Sequence, residues 1–321
     1  MSTYKGIKGY NIPSVASDPS PLQTGQVWYN TTSTTMKAYG ASVPAGAWTS
    51  GTAFTTARGY LASAGTSTAA LIFGGQSAPT TFYVNTETWN GTAWTEVGDL
   101  PTALQGVTGF GTNTAAVSFG GYPSVTAANK WDGTSWTATG AINTGRAWGS
   151  GAGSQTAGLG FGGNDYLAAT ETFDGSTWTS VNSLNDDGKQ GFPTTHGTQT
   201  ATMWAGGENR KDSNEEYDGT SWTEIADLNT GRSAGGSSGI VTAALAFGGN
   251  IPPRTAICEK WDGTSWSEVG DLVTGNNQGV GIGAAATSAF LCGGTPTPPT
   301  YVNAVEEWAD PVYSSKTVTV S

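Results

Sequence analysis

A pair of adjacent glycines closes an apolar run six times in this chain, at an almost constant spacing. The pairs begin at residues 74, 120, 162, 206, 248 and 293, so successive pairs lie 42 to 46 residues apart. Each run, such as the Ala-Ala-Leu-Ile-Phe before Gly74, is apolar on both faces, which suits a strand sandwiched between neighbouring sheets. A period of this length predicts repeated units of four short strands, folded together as one all-β domain.

A second signature follows each of the first five glycine pairs. It consists of an aromatic residue, Asn-Gly or Asp-Gly, two small residues and a tryptophan, and its instances span residues 89–94, 131–136, 173–178, 217–222 and 261–266. Asn, Asp and Gly tolerate the positive φ of a tight turn, so the signature predicts a hairpin flanked by two aromatics. We expect those aromatics to pack against the adjacent unit.

The combination of Gly-Gly, aromatic pair and period resembles kelch repeats over roughly residues 44–310. In that family the second strand of each blade ends in Gly-Gly, and the third and fourth strands carry aromatics around a turn. The resemblance implies an all-β fold, a six-bladed β-propeller.

The sixth unit lacks the second aromatic of its hairpin after Trp308, and a candidate lies far upstream at Trp48. Trp48 brings the number of outer-strand tryptophans to six, with Trp94, Trp136, Trp178, Trp222 and Trp266. We therefore expect an N-terminal strand to close the last blade and protect its edge. The predicted organisation is an arm with a hairpin over residues 1–43, a propeller over 44–310 and an edge strand over 311–321.

Charge and composition argue against several classes of protein. The formal net charge of −11 disfavours nucleic-acid binding, which needs a basic surface. Cys258 and Cys292 both lie in apolar runs, which predicts buried free thiols. The start of the sequence lacks an apolar signal stretch, and no run reaches membrane-spanning length, so neither a signal peptide nor membrane insertion is expected.

The sequence offers little for catalysis or for a metal. His196 is the single histidine, and it falls at a position that carries Ala, Phe or Ser in the other repeats. One histidine without a paired nucleophile argues against a catalytic triad and disfavours zinc. The recurring Asp132, Asp174, Asp218 and Asp262 occur once per unit, so a turn-forming role accounts for them. We expect no enzymatic activity, no cofactor and no metal.

Three arginines occupy one repeat position, at the start of the innermost strand: Arg58, Arg146 and Arg232. In kelch-like rings this position looks onto one mouth of the central channel. Two interpretations stay open. Each arginine bonds carbonyl groups of the neighbouring blade, or the three form a site for an anion or acidic group.

The loops between the second and third strands differ from unit to unit, whereas the remaining turns are nearly identical. We call the surface formed by these loops (residues 76–83, 122–124, 164–166, 208–212, 250–254 and 295–301) the loop face, and the opposite surface the turn face. A rigid scaffold that presents binding loops has this pattern, although unconstrained loops also diverge. If the loop face binds a ligand, its candidate residues are Tyr83, Tyr122, Tyr166 and Tyr301.

The arm has its own aromatic residues and a different charge. Residues 1–50 carry three lysines and one aspartate, in contrast to the acidic remainder. Alternating apolar residues around Trp28, Tyr29 and Tyr39 predict a hairpin, and residues 315–321 alternate like an edge strand. Trp28, Tyr29 and Tyr39 are candidates for attachment to a partner, unless the arm is only a solubilising leader.

Repeats of the form Trp-Asp-Gly-Thr-Ser-Trp, and the Gly-Gln-Val-Trp-Tyr segment at residue 25, are similar to propeller and appendage proteins of tailed phages, especially marine ones. The resemblance implies a virion structural protein: a tail-fibre, head-fibre or capsid-decoration subunit, assembled in the host cytoplasm. Its implied partners are other virion proteins, contacted through the arm, and a host-surface glycan or protein. A homo-oligomer is expected. The alternative is a bacterial carbohydrate- or protein-binding propeller of the kelch type without catalytic activity.

Overall fold

The computed structural model describes residues 12–41, 46–78, 80–164, 167–186, 188, 190–193, 196–296, 300–310 and 313–317. The described chain is all-β apart from one 3₁₀ turn at Glu208–Arg210, as predicted. It divides into two compact units: one comprises Met1–Ala47 and Asp310–Ser321, the other Trp48–Ala309.

The larger unit contains six four-stranded antiparallel sheets, which follow one another along the chain. Sheet one consists of β5 (Ala62–Thr66), β6 (Ala69–Phe73), β9 (Thr86–Trp89) and β10 (Trp94–Glu96). Sheet two consists of β11 (Thr108–Gly111), β12 (Ala116–Phe119), β13 (Ala128–Trp131) and β14 (Trp136–Ala138). Sheet three consists of β15 (Ser150–Ser154), β16 (Ala157–Phe161), β17 (Thr170–Phe173) and β18 (Trp178–Val181).

The remaining sheets keep the same order of strands. Sheet four consists of β19 (Phe192–Pro193), β20 (Thr202–Gly207), β21 (Lys211–Tyr217) and β22 (Trp222–Ile225). Sheet five consists of β23 (Gly236–Ile240), β24 (Ala243–Phe247), β25 (Cys258–Trp261) and β26 (Trp266–Glu268). Sheet six consists of β27 (Val280–Ala285), β28 (Ser288–Cys292), β29 (Val305–Ala309) and, from far upstream, β4 (Ala47–Ser50). A short ribbon of β7 (Gln76–Ala78) and β8 (Thr81–Phe82) lies in the loop of sheet one.

The predicted hairpins join the third and fourth strands, with the two aromatics directly opposite each other. Trp131 pairs with Trp136, and Phe173 pairs with Trp178. In each turn a glycine takes up the positive φ, such as Gly133 at 97°. The Asp-Gly signal therefore sets the register of the outer pair of strands.

Aromatic side chains hold successive sheets together. The phenylalanine that ends a second strand meets the fourth-strand tryptophan of the next sheet, with ring centroids 4.6 to 5.0 Å apart in four pairs: Phe73–Trp136, Phe119–Trp178, Phe161–Trp222 and Phe247–Trp48. Such pairs add about 0.5–1.5 kcal/mol each beyond the area they bury. The apolar second strands are buried between sheets, as their composition predicts.

The smaller unit is a four-stranded sheet with the order β1 (Ser14–Val15), β2 (Val27–Asn30), β3 (Thr35–Ala41) and β30 (Tyr313–Thr317). The predicted hairpin is formed by β2 and β3. The C-terminal strand pairs with β3, so the segments that the sequence suggests as separate arm and edge strand share one sheet. Asp18 accepts hydrogen bonds from Trp28, Asn30 and Lys37, which lowers its pKa to about 2.

Candidate ligand-binding face

The residue two positions before each innermost strand lies at the loop face and has a positive φ of 53–62°: Tyr60, Gly106, Trp148, Gln190, Ala234 and Gln278. The backbone N–H of each donates to the carbonyl of its counterpart in the preceding sheet, over 2.7 to 3.2 Å, and the Tyr60 N–H donates to Gln278. The series of six hydrogen bonds thus returns to its first residue. We call these six residues the collar.

The variable loops lie beside the collar. Gly59 and Gln76 exchange two backbone hydrogen bonds, of 2.8 and 2.9 Å, and Tyr122 donates to the Gln105 carbonyl at 2.9 Å. Asn164, Asn250 and Thr295 make the equivalent bond in sheets three, five and six. In these five sheets the loop that follows the Gly-Gly pair is therefore fixed at its first residue, next to the collar.

Four aromatic side chains form a chain of contacts across the loops of sheets one to three. Tyr60 meets Trp148 edge-on, Trp148 meets Tyr122, and Tyr122 meets Phe82, with centroids 5.9, 5.6 and 6.2 Å apart. Tyr122 is the most exposed of the four, at 44%. We call this group the aromatic cluster. Of these four residues, only Tyr122 was identified as a candidate from the sequence. The other three lie in different repeats or in the collar, so the sequence does not show that they meet.

The neighbouring part of the loop face is polar. A cavity of about 480 Å³ is lined by Gln190, Glu208, Asn209, Ser233, Asn250 and Pro252. We call it the polar cavity. The side chain of Gln190 hydrogen-bonds the Tyr60 hydroxyl, and burial raises the pKa of that phenol to about 12. Tyr60 thus belongs to the aromatic cluster and also contacts a residue of the polar cavity.

The other predicted tyrosines have different surroundings. The Tyr83 hydroxyl shares a hydrogen bond of 2.8 Å with Ser77, and the Tyr301 hydroxyl accepts one from the Gln76 amide. Both rings are partly buried. Tyr166 lies outside the described residues. Tyr122 is therefore the predicted tyrosine that joins an aromatic group at the loop face.

The three arginines are fully buried rather than open to a ligand. Each guanidinium pairs with a glutamate of the third strand of the same sheet: Arg58 with Glu87 at 2.7 Å, Arg146 with Glu171 at 2.6 Å, and Arg232 with Glu259. Arg146 also donates to the carbonyls of Gly162 and Ala169, again in its own sheet. The arginines thus bond groups of their own sheet, whereas one of the two interpretations expected bonds to carbonyls of the neighbouring blade. The strand order places the third strand of their own sheet closer to them.

The glutamates were not identified from the sequence. Glu171 accepts backbone hydrogen bonds from Asn143 and Thr144, at 2.7 and 3.1 Å, in the segment that leads into the same sheet. Glu215 and Glu306 make the same bonds in sheets without a described arginine partner. The sequence signal for them is a glutamate two residues before the first aromatic of the hairpin. Five of the six units have this glutamate, and sheet two has Asn129 in its place.

The turn face contains the histidine and the repeated aspartates. His196 lines a cavity of about 610 Å³ together with first-turn residues of sheets one to four, and burial lowers its pKa. The Asp132 carboxylate accepts backbone hydrogen bonds from Thr134 and Ser135, both 2.8 Å, which lower its pKa to about 2. The bonds of Asp174, Asp218 and Asp262 follow the same pattern, in agreement with a turn-forming role.

A smaller cavity of about 140 Å³ runs between the innermost strands, lined mostly by glycine, alanine and serine. Cys258 and Cys292 are buried and free, as predicted. Within the described ranges, the acidic, histidine and cysteine side chains form no group of three that would hold a metal ion. The described part of the chain contains no helix long and apolar enough to cross a membrane.

The attachment candidates differ in exposure. Trp28 is completely buried, and its indole donates to Asp18 at 3.0 Å. Tyr29, the next residue on β2, is 37% exposed, and Tyr39 is partly buried. Of the three, Tyr29 is the one whose ring is available to a partner.

Comparison with known proteins shows the fold. No protein-family model matches the sequence, and the search of curated proteins found no match. Many solved structures match, among them one titled "Structure of YjhT", with a TM-score of 0.67 and 14% identity. The match covers 83% of this chain and 99% of that one. The fold is β-propeller-like.

Proposed function

We propose that this chain is a six-bladed, kelch-like β-propeller, which a tailed-phage particle carries as an appendage and which binds a host surface without catalysing a reaction. The six four-stranded sheets and the collar support the number of blades. Contacts between innermost strands run from each sheet to the next, and from β27 back to β5, which supports a ring. The pairing of β4 with β29 supports closure by the N-terminal strand.

The observation that carries the binding function is the aromatic cluster at the loop face. Tyr122 exposes 44% of its surface while its ring contacts Phe82 and Trp148. An exposed aromatic in a fixed position loses little conformational entropy on binding, so it suits recognition of a host-surface glycan or protein. The loops around it vary in sequence while the scaffold repeats, a division typical of binding proteins built on rigid folds.

The smaller unit is proposed to attach the chain to the head or the tail of the particle. Its sheet contains the exposed Tyr29 and strands from both the arm and the C-terminal segment. The partners are other virion proteins, and copies of the chain are expected to assemble as a homo-oligomer. Mass photometry of the purified protein measures that oligomeric state.

Adsorption tests the binding function. Purified protein is added to host cells before the phage, and its competition with adsorption is measured for the native chain and for Tyr122→Ala. Ile240→Ala is the matched control, because Ile240 is similarly exposed, at 41%, but lies at the turn-face end of β23. We expect the native chain and the Ile240 variant to block adsorption and the Tyr122 variant to lose this ability. Equal competition by all three would contradict the assignment of the loop face.

Proteomics of purified particles tests the location. The chain should be present in a fixed ratio to the major capsid protein. Its absence from particles, together with retained binding to cells or saccharides, would favour a bacterial carbohydrate- or protein-binding propeller of the kelch type.

A further inference from the structure

We infer that the aromatic cluster and the polar cavity together form a binding site for a neutral saccharide, one that discriminates against sugars bearing a carboxylate. The inference rests on the proposed binding function of the loop face and specifies its ligand class. It follows from three features: an aromatic surface, a polar cavity joined to it through Tyr60, and the ion pairs and hydrogen bonds of the cationic side chains around them.

The aromatic surface suits the C–H face of a pyranose ring. Tyr122 is exposed, and contacts with Phe82 and Trp148 on either side fix its orientation. An aromatic ring held in place by neighbouring rings presents an apolar surface without a further loss of rotamer entropy. Sugars combine such an apolar face with a rim of hydroxyl groups, so a polar surface must lie within reach of the same ligand.

The polar cavity provides that surface. Gln190, Asn209 and Asn250 each carry an amide that both donates and accepts hydrogen bonds, and Glu208 is an acceptor. Hydroxyl groups are likewise donors and acceptors, so amides satisfy them in either orientation. The volume of about 480 Å³ lies within the range of small-molecule sites.

Tyr60 connects the two halves. Its ring contacts Trp148 of the aromatic cluster, while its hydroxyl is hydrogen-bonded by Gln190 of the polar cavity. The Gln190 backbone N–H also donates to the Trp148 carbonyl at 3.2 Å, and Glu208 lines the polar cavity together with Gln190. A ligand stacked on the aromatic cluster therefore has hydrogen-bonding groups next to it.

The cationic side chains explain the preference for neutral sugars. Arg58, Arg146 and Arg232 are buried in ion pairs with glutamates. Among the loop-face cations whose side chains are described, Lys211 pairs with Asp186 at 2.5 Å, and Arg254 donates to the Asn277 amide oxygen at 2.6 Å. The chain as a whole carries a net charge of −11. A carboxylate brought to this face meets the carboxylate of Glu208 and an acidic protein.

Paired saccharides test the inference. The full-length protein is titrated, by calorimetry or on immobilised glycans, with neutral oligosaccharides ending in glucose, galactose, mannose or N-acetylglucosamine. Each is compared with a counterpart ending in a uronic or sialic acid. We expect at least one neutral sugar to bind and its acidic counterpart to bind about tenfold more weakly or not at all.

Variants place the site. Tyr122→Ala should weaken binding by about tenfold, the loss of one stacked aromatic, whereas Tyr122→Phe should retain it. Asn209→Gly removes one amide from the polar cavity while keeping a residue that adopts its φ of 64° without strain, and it should also weaken binding. Ile240→Ala on the turn face should bind like the native chain.

The outcomes separate this inference from the proposed function. Binding of host cells without binding of any neutral sugar, or tighter binding of the acidic partner, would overturn the saccharide site and leave the binding function standing. Neutral-sugar binding that is unaffected by both Tyr122→Ala and Asn209→Gly would place the site elsewhere and overturn the inference. A chain that blocks no adsorption but binds neutral sugars through Tyr122 would retain the site and contradict the host-surface role.

Discussion

The collar contains six residues with a left-handed backbone, and only Gly106 among them is a glycine. A non-glycine residue in this conformation costs on the order of 1–3 kcal/mol and persists where its surroundings determine it. In the collar each such residue donates to the carbonyl of its counterpart one sheet away. Nothing local in the sequence marks positions occupied by Tyr60, Trp148 or Gln190 as left-handed, so sequence reasoning did not find them.

Substitutions at the collar test the cost of its left-handed backbone and close packing. Gly106 has a φ of 60°, and a Cβ there would lie 2.7 Å from the Trp148 indole nitrogen. Gly106→Ala should therefore lower the free energy of unfolding by about 1–3 kcal/mol, measured by urea denaturation. Ala234→Gly, at a φ of 58°, is the matched control and should leave stability unchanged or raise it by up to about 1 kcal/mol. Equal stability of both variants would show that the collar imposes no strain.

The buried ion pairs offer a test built from the protein's own repeats. Arg232→Leu leaves Glu259 buried without its guanidinium, and breaking such a pair costs about 3–5 kcal/mol. Sheet two carries Leu104 and Asn129 at the two equivalent positions. The double variant Arg232→Leu/Glu259→Asn should therefore recover much of the stability lost in the single variant, in thermal or urea unfolding. A double variant less stable than either single variant would show that the positions are not equivalent.

At the scale of elements, the hairpins could be predicted most reliably because their signal is local. Asn-Gly or Asp-Gly between two aromatics determines the turn, the register and the facing aromatic pair. The Gly-Gly pairs likewise marked the ends of the second strands. The pairing of β3 with β30 could not be predicted in the same way, since the paired residues lie 272 to 280 positions apart in the sequence and neither strand carries a turn signal.

The aspartates in the turns make the stability of the hairpins depend on pH. Hydrogen bonds lower the pKa of Asp132, to about 2, and those of Asp174, Asp218 and Asp262. An aspartate in the unfolded chain has a pKa near 3.9, so this stabilisation is complete above about pH 4 and is lost as the pH falls through about 2. Replacing all four by Asn should reduce the loss of thermal stability between pH 4 and pH 2.

Asn90 in sheet one provides the internal control, because its side chain accepts the same two backbone hydrogen bonds, from Thr92 and Ala93. The Asn variant should therefore fold normally at pH 7. An unchanged acid transition in the quadruple variant would mean that other carboxylates control the loss of stability.

For the whole molecule, the prediction that joins the most distant segments is that β4 completes sheet six. Counting the outer-strand tryptophans made this prediction possible. Trp48 contacts Phe247 and Trp308, and its strand completes sheet six. The aromatic cluster was not accessible in that way. Phe82, Tyr122 and Trp148 come from three units, and their contact depends on the angles between sheets rather than on spacing in the sequence.

Two truncated chains test the importance of β4. A chain of residues 44–310 retains the strand, whereas one of residues 51–310 leaves the edge of β29 unpaired and removes Trp48 from its contacts. We expect the longer chain to be soluble and monodisperse and the shorter one to aggregate, by size-exclusion chromatography with light scattering. Identical behaviour of the two would contradict closure by this strand.

We propose that the loop face, through its aromatic cluster, is the surface that meets the host. Hydroxyl-radical footprinting of the full-length protein, free and bound to host envelopes, measures this residue by residue. We expect reduced oxidation of Tyr122 and the surrounding loop residues on binding, with Ile240 on the turn face unchanged. Protection of Ile240 and the turn face, with Tyr122 as reactive as in the free protein, would contradict it.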